Sequence, residues 1–168
     1  MTAMTPCLDR PGHLPRLASH HLSRTRLIEP LLASTARVKL CCAPAGSGKS
    51  ALLVECLLRA PEGTQVCWLA LAGEALSAAD FRQRLAEVLG LASPDKSGFL
   101  SSLTRLQTPV WVFLDDYCRI RSAELDECLD QILAVSSPVV TWWVSGRRRP
   151  QINWPRLLLN DELYDCEP

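Results

Sequence analysis

The chain has 168 residues, 48% of them apolar, and eighteen basic side chains balance eighteen acidic ones. That length suits about one domain, the apolar share is enough for a core, and zero net charge gives no electrostatic reason to bind nucleic acid unaided. The N-terminus has no apolar leader core and no stretch nears the ~18 apolar residues of a membrane span, so the expectation is a soluble, cytoplasmic protein.

Residues 1–22 hold Pro6, Pro11, Gly12, Pro15 and the three histidines His13, His20 and His21 without apolar periodicity, and read as a loosely ordered lead-in. No Cys or acidic partner stands at ligand spacing from those histidines, which favours a solvated tail over a metal site. Residues 23–168 read as a single nucleotide-binding domain, shortened on its C-terminal side. A short helix is expected over 26–33, with Pro30 in its first turn. An apolar strand at 38–42 runs into a turn, and 50–59, apolar nearly all round, reads as a helix buried against a sheet. A second strand covers 65–71. Ser77 then caps a helix over 78–89 that Gly90 stops. A shorter helix at 99–106, a strand at 110–114, a helix at 123–133 and a strand at 139–144 follow. The remainder, 147–168, carries an arginine cluster, three prolines and a weak apolar patch at 157–159.

Strands apolar on both faces, alternating with helices, predict an α/β fold: a doubly wound, mostly parallel sheet of about five strands with helices on both faces. The eight cysteines include no C-x-x-C pair, and several fall in apolar runs, so they read as reduced, structural residues. Trp142 and Trp143 read as buried strand aromatics, with an exposed association surface as the alternative.

Three motifs carry chemistry. Ala43-Pro-Ala45-Gly46-Ser47-Gly48-Lys49-Ser50 nearly fits G-x-x-x-x-G-K-[ST], with Ala43 in place of the first glycine. Gly46 and Gly48 let the chain curl so that amides from Ala43 to Ala51 (Ala45, Ser47, Lys49 and Ser50 among them) face one anion at a helix N-terminus. Lys49 would reach the β- and γ-phosphates and the Ser50 hydroxyl would ligate Mg²⁺. The expected ligand is ATP or ADP, with GTP as the alternative. Next, the strand at 110–114 ends in Asp115-Asp116, where a doubly wound sheet places its ligand chemistry. Asp115 would hold Mg²⁺ through water, and Asp116 would orient or deprotonate the attacking water. This second acid favours slow hydrolysis, or a switch timed by it. The alternative is a small P-loop kinase that passes the γ-phosphate to a metabolite. Finally, the last strand runs into Ser145-Gly146-Arg147-Arg148-Arg149, and Arg147, nearest the strand end, is the expected γ-phosphate contact, with a solvated basic loop or a nucleic-acid phosphate contact as the alternatives.

Together these motifs resemble the N-terminal ATPase domain of the large ATP-binding LuxR-family transcriptional regulators of the MalT type, which belong to the STAND signal-transduction ATPases. The resemblance spans roughly 23–163. It rests on Arg24-Thr-Arg26-Leu27, on the loop at 43–50 with Leu52-Leu53, on Trp68-Leu-Ala-Leu71, on Asp80-Phe81, on Leu114-Asp-Asp-Tyr117 with Ile120, and on Arg147 with Pro150. It implies an ATP/ADP switch that self-associates in the ATP state and reaches DNA through further domains outside these 168 residues. It also implies that the 24–27 segment, Arg26 included, lies near the adenine and ribose, and that the strand ending at the arginines sits between the other two motif strands. Two positions depart from that family: Cys118 stands where His is usual, and Ser47 where a bulky residue is common.

Overall fold

The computed structural model describes residues 7–8, 14–17, 22–44, 46–71, 76–91, 95–117 and 121–166. Among them the elements run β1 (Cys7–Leu8), α1 (Thr25–Ala33), β2 (Val38–Cys42), α2 (Lys49–Leu57), β3 (Gln65–Ala70), α3 (Ala78–Leu89), α4 (Lys96–Thr104), β4 (Val110–Asp115), α5 (Ala123–Val135), β5 (Val140–Gly146), α6 (Trp154–Leu159) and β6 (Leu163–Cys166). The strands form one sheet in the order β1-β3-β4-β5-β2-β6, and every pairing is parallel. Parallel neighbours need crossovers, and from β2 onward helices supply them. β5 lies between β2 and β4, the order that the family resemblance implies.

Successive residues of a strand serve opposite faces of the sheet. Leu40, Leu69, Val112, Leu114 and Trp142 enter a core with Phe81, Phe99 and Leu129 of α3, α4 and α5. Cys41, Trp68, Phe113 and Trp143 enter a second core with Ile28 and Leu31 of α1 and Leu52 and Leu53 of α2. The sheet is therefore covered on both sides. Trp142 and Trp143 are fully buried, one on each face, and form no association surface. In the second core a row crosses the sheet in register: Trp68, Phe113, Trp143, Lys39 and Tyr164. Its rings stack, at 5.6 Å between Trp68 and Phe113 and 5.1 Å between Phe113 and Trp143. The buried Lys39 ammonium lies 4.5 Å from the Trp143 ring centre and donates to the Leu31 carbonyl. Burial pushes its pKa down to about 8, against the opposing influence of Cys56.

Local chemistry explains most element ends. Ser77 caps α3 by accepting from the Asp80 N–H at 3.1 Å, and Gly90 closes it in the left-handed region at φ 70°. Asp95 and Ser122 cap α4 and α5 in the same way. Arg37, just before β2, donates to the Leu133 and Ser136 carbonyls at 2.7 and 2.9 Å, satisfying the end of α5.

Several expectations need correction. Pro30 is the sixth residue of α1, not part of its first turn. Its missing N–H deprives only the Arg26 carbonyl, on an exposed residue, and the Ser34 N–H bonds to the Pro30 carbonyl at 3.0 Å, so the helix continues past it. β5 runs to Gly146, two residues beyond the apolar run, because Ser145 and Gly146 are buried by neighbouring strands despite their polarity or small size. The weak apolar patch near 157 is α6, and β6 then pairs with β2. Within 1–22, Cys7–Leu8 pairs with Cys67 and Trp68 of β3. The histidines, Ala45, Cys118 and Ile120 lie outside the described residues. The seven described cysteines carry free thiols, five of them buried. Among the described residues no helix is long and apolar enough to cross a membrane.

Candidate functional site

The loop at 43–50 connects β2 to α2, as its motif requires. The buried Ala43 donates its N–H to the Gly146 carbonyl at 3.0 Å, and the Ser47 N–H bonds to the Pro44 carbonyl at 3.3 Å. Gly46 and Gly48 take φ of 77° and 81°, a region in which a side chain is strained. The curl therefore depends on glycine at both positions. Gly48 is the N-cap of α2, so the amides of Lys49, Ser50 and Ala51 in the first turn have no intrahelical acceptor and carry the positive end of the helix dipole. Lys49 is buried, and its ammonium donates back to the Pro44 carbonyl at 3.3 Å.

At the end of β4, two hydroxyls converge on one carboxylate oxygen. Ser50 donates to Asp115 Oδ1 at 2.7 Å and Ser145 donates to the same atom at 2.9 Å. The Ser145 hydroxyl also accepts from the Asp116 N–H at 2.9 Å, and its carbonyl accepts from the Tyr117 N–H at 2.8 Å. Asp116 turns the chain with φ 57°, a region that a short polar side chain tolerates better than most. Gly146 lets this turn approach: a Cβ there would lie 2.8 Å from the Tyr117 carbonyl oxygen. Burial raises the Asp115 carboxyl above the usual carboxylate range, and Asp116 adds to the rise; hydrogen bonds from Ser50 and Ser145 and the charge of Lys49 oppose it.

This donor set fits a magnesium nucleotide. A desolvated carboxylate bonded to a hydroxyl at a helix N-terminus is hard oxygen chemistry that a divalent cation would satisfy. Ser50 and Asp115 are the residues that would hold the ion, and the loop amides with Lys49 would hold the phosphates.

The remaining predicted residues are less closely gathered. Arg147 is exposed one residue beyond β5, so it and Asp116 leave the ends of adjacent strands. Arg149 is committed elsewhere: it pairs with Asp165 and lies 5.2 Å from the Trp154 ring centre. Arg26 is exposed on α1, whereas Arg24 reaches the loop and donates to the Ser47 carbonyl. Sequence reasoning thus missed Ser145 and Gly146, and expected Arg24 only as part of a segment near the adenine and ribose, without its bond to the phosphate loop. For Ser145 a signal existed: it is the first polar residue after an apolar run, at the position where the acid closes the adjacent strand.

The fold is that of a P-loop NTPase, a parallel α/β sheet with helices on both faces and a phosphate-loop motif between β2 and α2. Among solved structures the chain is similar to one from the structure of Drosophila ORC bound to DNA, at 13% identity and TM-score 0.54, covering 87% of this chain and 94% of that one. It is also similar to a chain from Drosophila ORC bound to AT-rich DNA and Cdc6, at 12% identity and TM-score 0.50, covering 83% of this chain and 50% of that one. At such low identity these likenesses concern the fold alone. No protein-family model and no curated protein matches the sequence.

Proposed function

We propose that this chain binds ATP or ADP with Mg²⁺ and acts as a cytoplasmic STAND-type switch module of a MalT-like, LuxR-family transcriptional regulator, with slow hydrolysis. The observation that carries the nucleotide reading is the 2.7 Å bond between the Ser50 hydroxyl and Asp115. Two motifs 65 residues apart meet there, at the edge where doubly wound sheets bind ligands, and this contact supports reading them as the pair that would hold Mg²⁺. Bound Mg²⁺ would neutralise charge on the phosphates. Lys49 and the amides of 46–51 orient the phosphate chain, and Asp116 and Arg147, at the ends of β4 and β5, are the residues proposed to respond to the γ-phosphate. The finer assignment to a regulator rests on the family resemblance. In it the ATP state self-associates, and DNA is reached only through other domains.

Calorimetry of the purified chain with ATP, ADP and GTP, with and without Mg²⁺, tests the reading. Micromolar binding that Lys49→Ala weakens at least a hundredfold is expected, since a buried charge-assisted contact of about 3 kcal/mol is removed. Unchanged binding in that variant would remove the basis of the assignment. Light scattering with ATP and with ADP then reads the switch: self-association in ATP alone is expected, and identical mass in both would rule it out.

A further inference from the structure

Arg24 is the N-cap residue of α1, and both the Leu27 and Ile28 N–H groups bond to its carbonyl, at 2.8 and 3.0 Å. Its side chain crosses 23 residues of sequence to the phosphate loop and donates to the Ser47 carbonyl. The guanidinium also fills the space beside Gly48, where a Cβ would collide with it. Gly48 carries φ of 81° and has no side chain, so its own backbone offers little steric resistance to the Ser47–Gly48 peptide turning over. A trans peptide holds its C=O and N–H on opposite sides. Holding the Ser47 oxygen toward Arg24 therefore keeps the Gly48 N–H on the side away from Arg24, and a flip would exchange the two.

We propose that Arg24 is a positioning residue for phosphate binding: its guanidinium locks the Ser47–Gly48 peptide with the Gly48 amide directed into the loop, and so couples the placement of α1 to nucleotide affinity. The coupling is mechanical. Ile28 and Leu31 of α1 pack in one core with Leu52 and Leu53 of α2, so the base of Arg24 and the helix that follows the loop are held together. This role rests on the nucleotide reading above, but it differs from contact with adenine or ribose, because it acts on the phosphate part of any ligand.

The test compares wild type, Arg24→Ala, Arg24→Lys and Lys49→Ala for binding of Mg-ATP and of inorganic tripolyphosphate with Mg²⁺. Melting of the ligand-free chains and the Gly48 amide resonance by NMR are followed in parallel. Arg24→Ala is expected to weaken both ligands by about tenfold, the loss of one charge-assisted hydrogen bond. The Gly48 resonance should shift while the ligand-free melting midpoint stays near wild type, and Arg24→Lys, keeping one donor, should restore part of the affinity. A loss confined to ATP, with tripolyphosphate binding intact, would overturn the proposal in favour of a base or ribose contact. Wild-type affinity in Arg24→Ala beside loss in Lys49→Ala would overturn it while leaving the nucleotide reading standing. Absence of binding by wild type would remove both.

Discussion

Replacing Lys39 with Met removes an ammonium from the middle of the aromatic row that crosses the sheet. The side chain is 3% exposed, and its pKa falls from 10.5 to about 8 because burial penalises the charged form. At 1.36 kcal/mol per pH unit, the charge costs the fold about 3 kcal/mol. The Leu31 hydrogen bond and the Trp143 contact are lost with the ammonium, at about 1–2 kcal/mol together, so Lys39→Met should be about 1–2 kcal/mol more stable at pH 7. The pH dependence is the sharper signature. Because the folded pKa lies below the unfolded one, the unfolded chain holds the extra proton between pH 8 and 10.5, and wild-type stability rises across that window. Urea unfolding at pH 7 and pH 10 should show wild type gaining about 2–3 kcal/mol on the variant, enough to remove or reverse the difference. Titration of Tyr164 and of the cysteines other than Cys56 is common to both proteins and cancels in the comparison; Cys56, pushed up to about 12 by burial with the Lys39 charge opposing the rise, keeps its proton in the folded state at both pH values. Parallel pH curves would refute the argument that burial sets this lysine's charge.

Asp115→Asn should raise the melting midpoint of the ligand-free chain at pH 7. The folded pKa of Asp115 is raised, so its charged form weakens the fold as pH climbs through that value; the variant should lose this pH dependence together with the Mg²⁺ dependence of nucleotide binding, and a lower midpoint would contradict it. Gly146→Ala places a Cβ 2.8 Å from the Tyr117 carbonyl oxygen, where backbone must move. A loss of about 1–3 kcal/mol in urea unfolding is expected, with weaker nucleotide binding because the turn after Asp115 shifts. Asp126 is buried, accepts from the Tyr117 hydroxyl at 2.9 Å and from the Gln151 N–H at 2.9 Å, and so ties to α5 the segments that follow β4 and β5. Asp126→Ala should cost about 2–4 kcal/mol by leaving both donors unsatisfied, and a cost under 1 kcal/mol would show that water replaces the carboxylate.

Much of the fold was readable from one dimension. The α/β alternation, four of the strands and the helix from Ala78 to Leu89 follow from apolar periodicity and from caps such as Ser77 and Gly90, which act within a few residues of themselves. The phosphate loop was legible for the same reason: glycines at positive φ, a lysine and a helix start are consecutive in the chain. Trp142 and Trp143 also sit where an apolar run places them, inside.

Other features are products of neighbours that sequence distance hides. Ser145 becomes a partner of Asp115 only because β5 lies beside β4, and Arg24 meets Ser47 only because α1 packs on α2. β6 has no strong strand pattern, since only its last residue, Cys166, is buried and the strand is defined by its pairing with β2. By itself, then, the sequence determined which elements form and which groups can hold phosphate, since dihedral preference, capping and apolar spacing are local. The tertiary structure alone decided which hydroxyls reach Asp115, which arginine holds the loop and where Lys39 is buried, because those depend on the order in which strands pair and on distances set by packing.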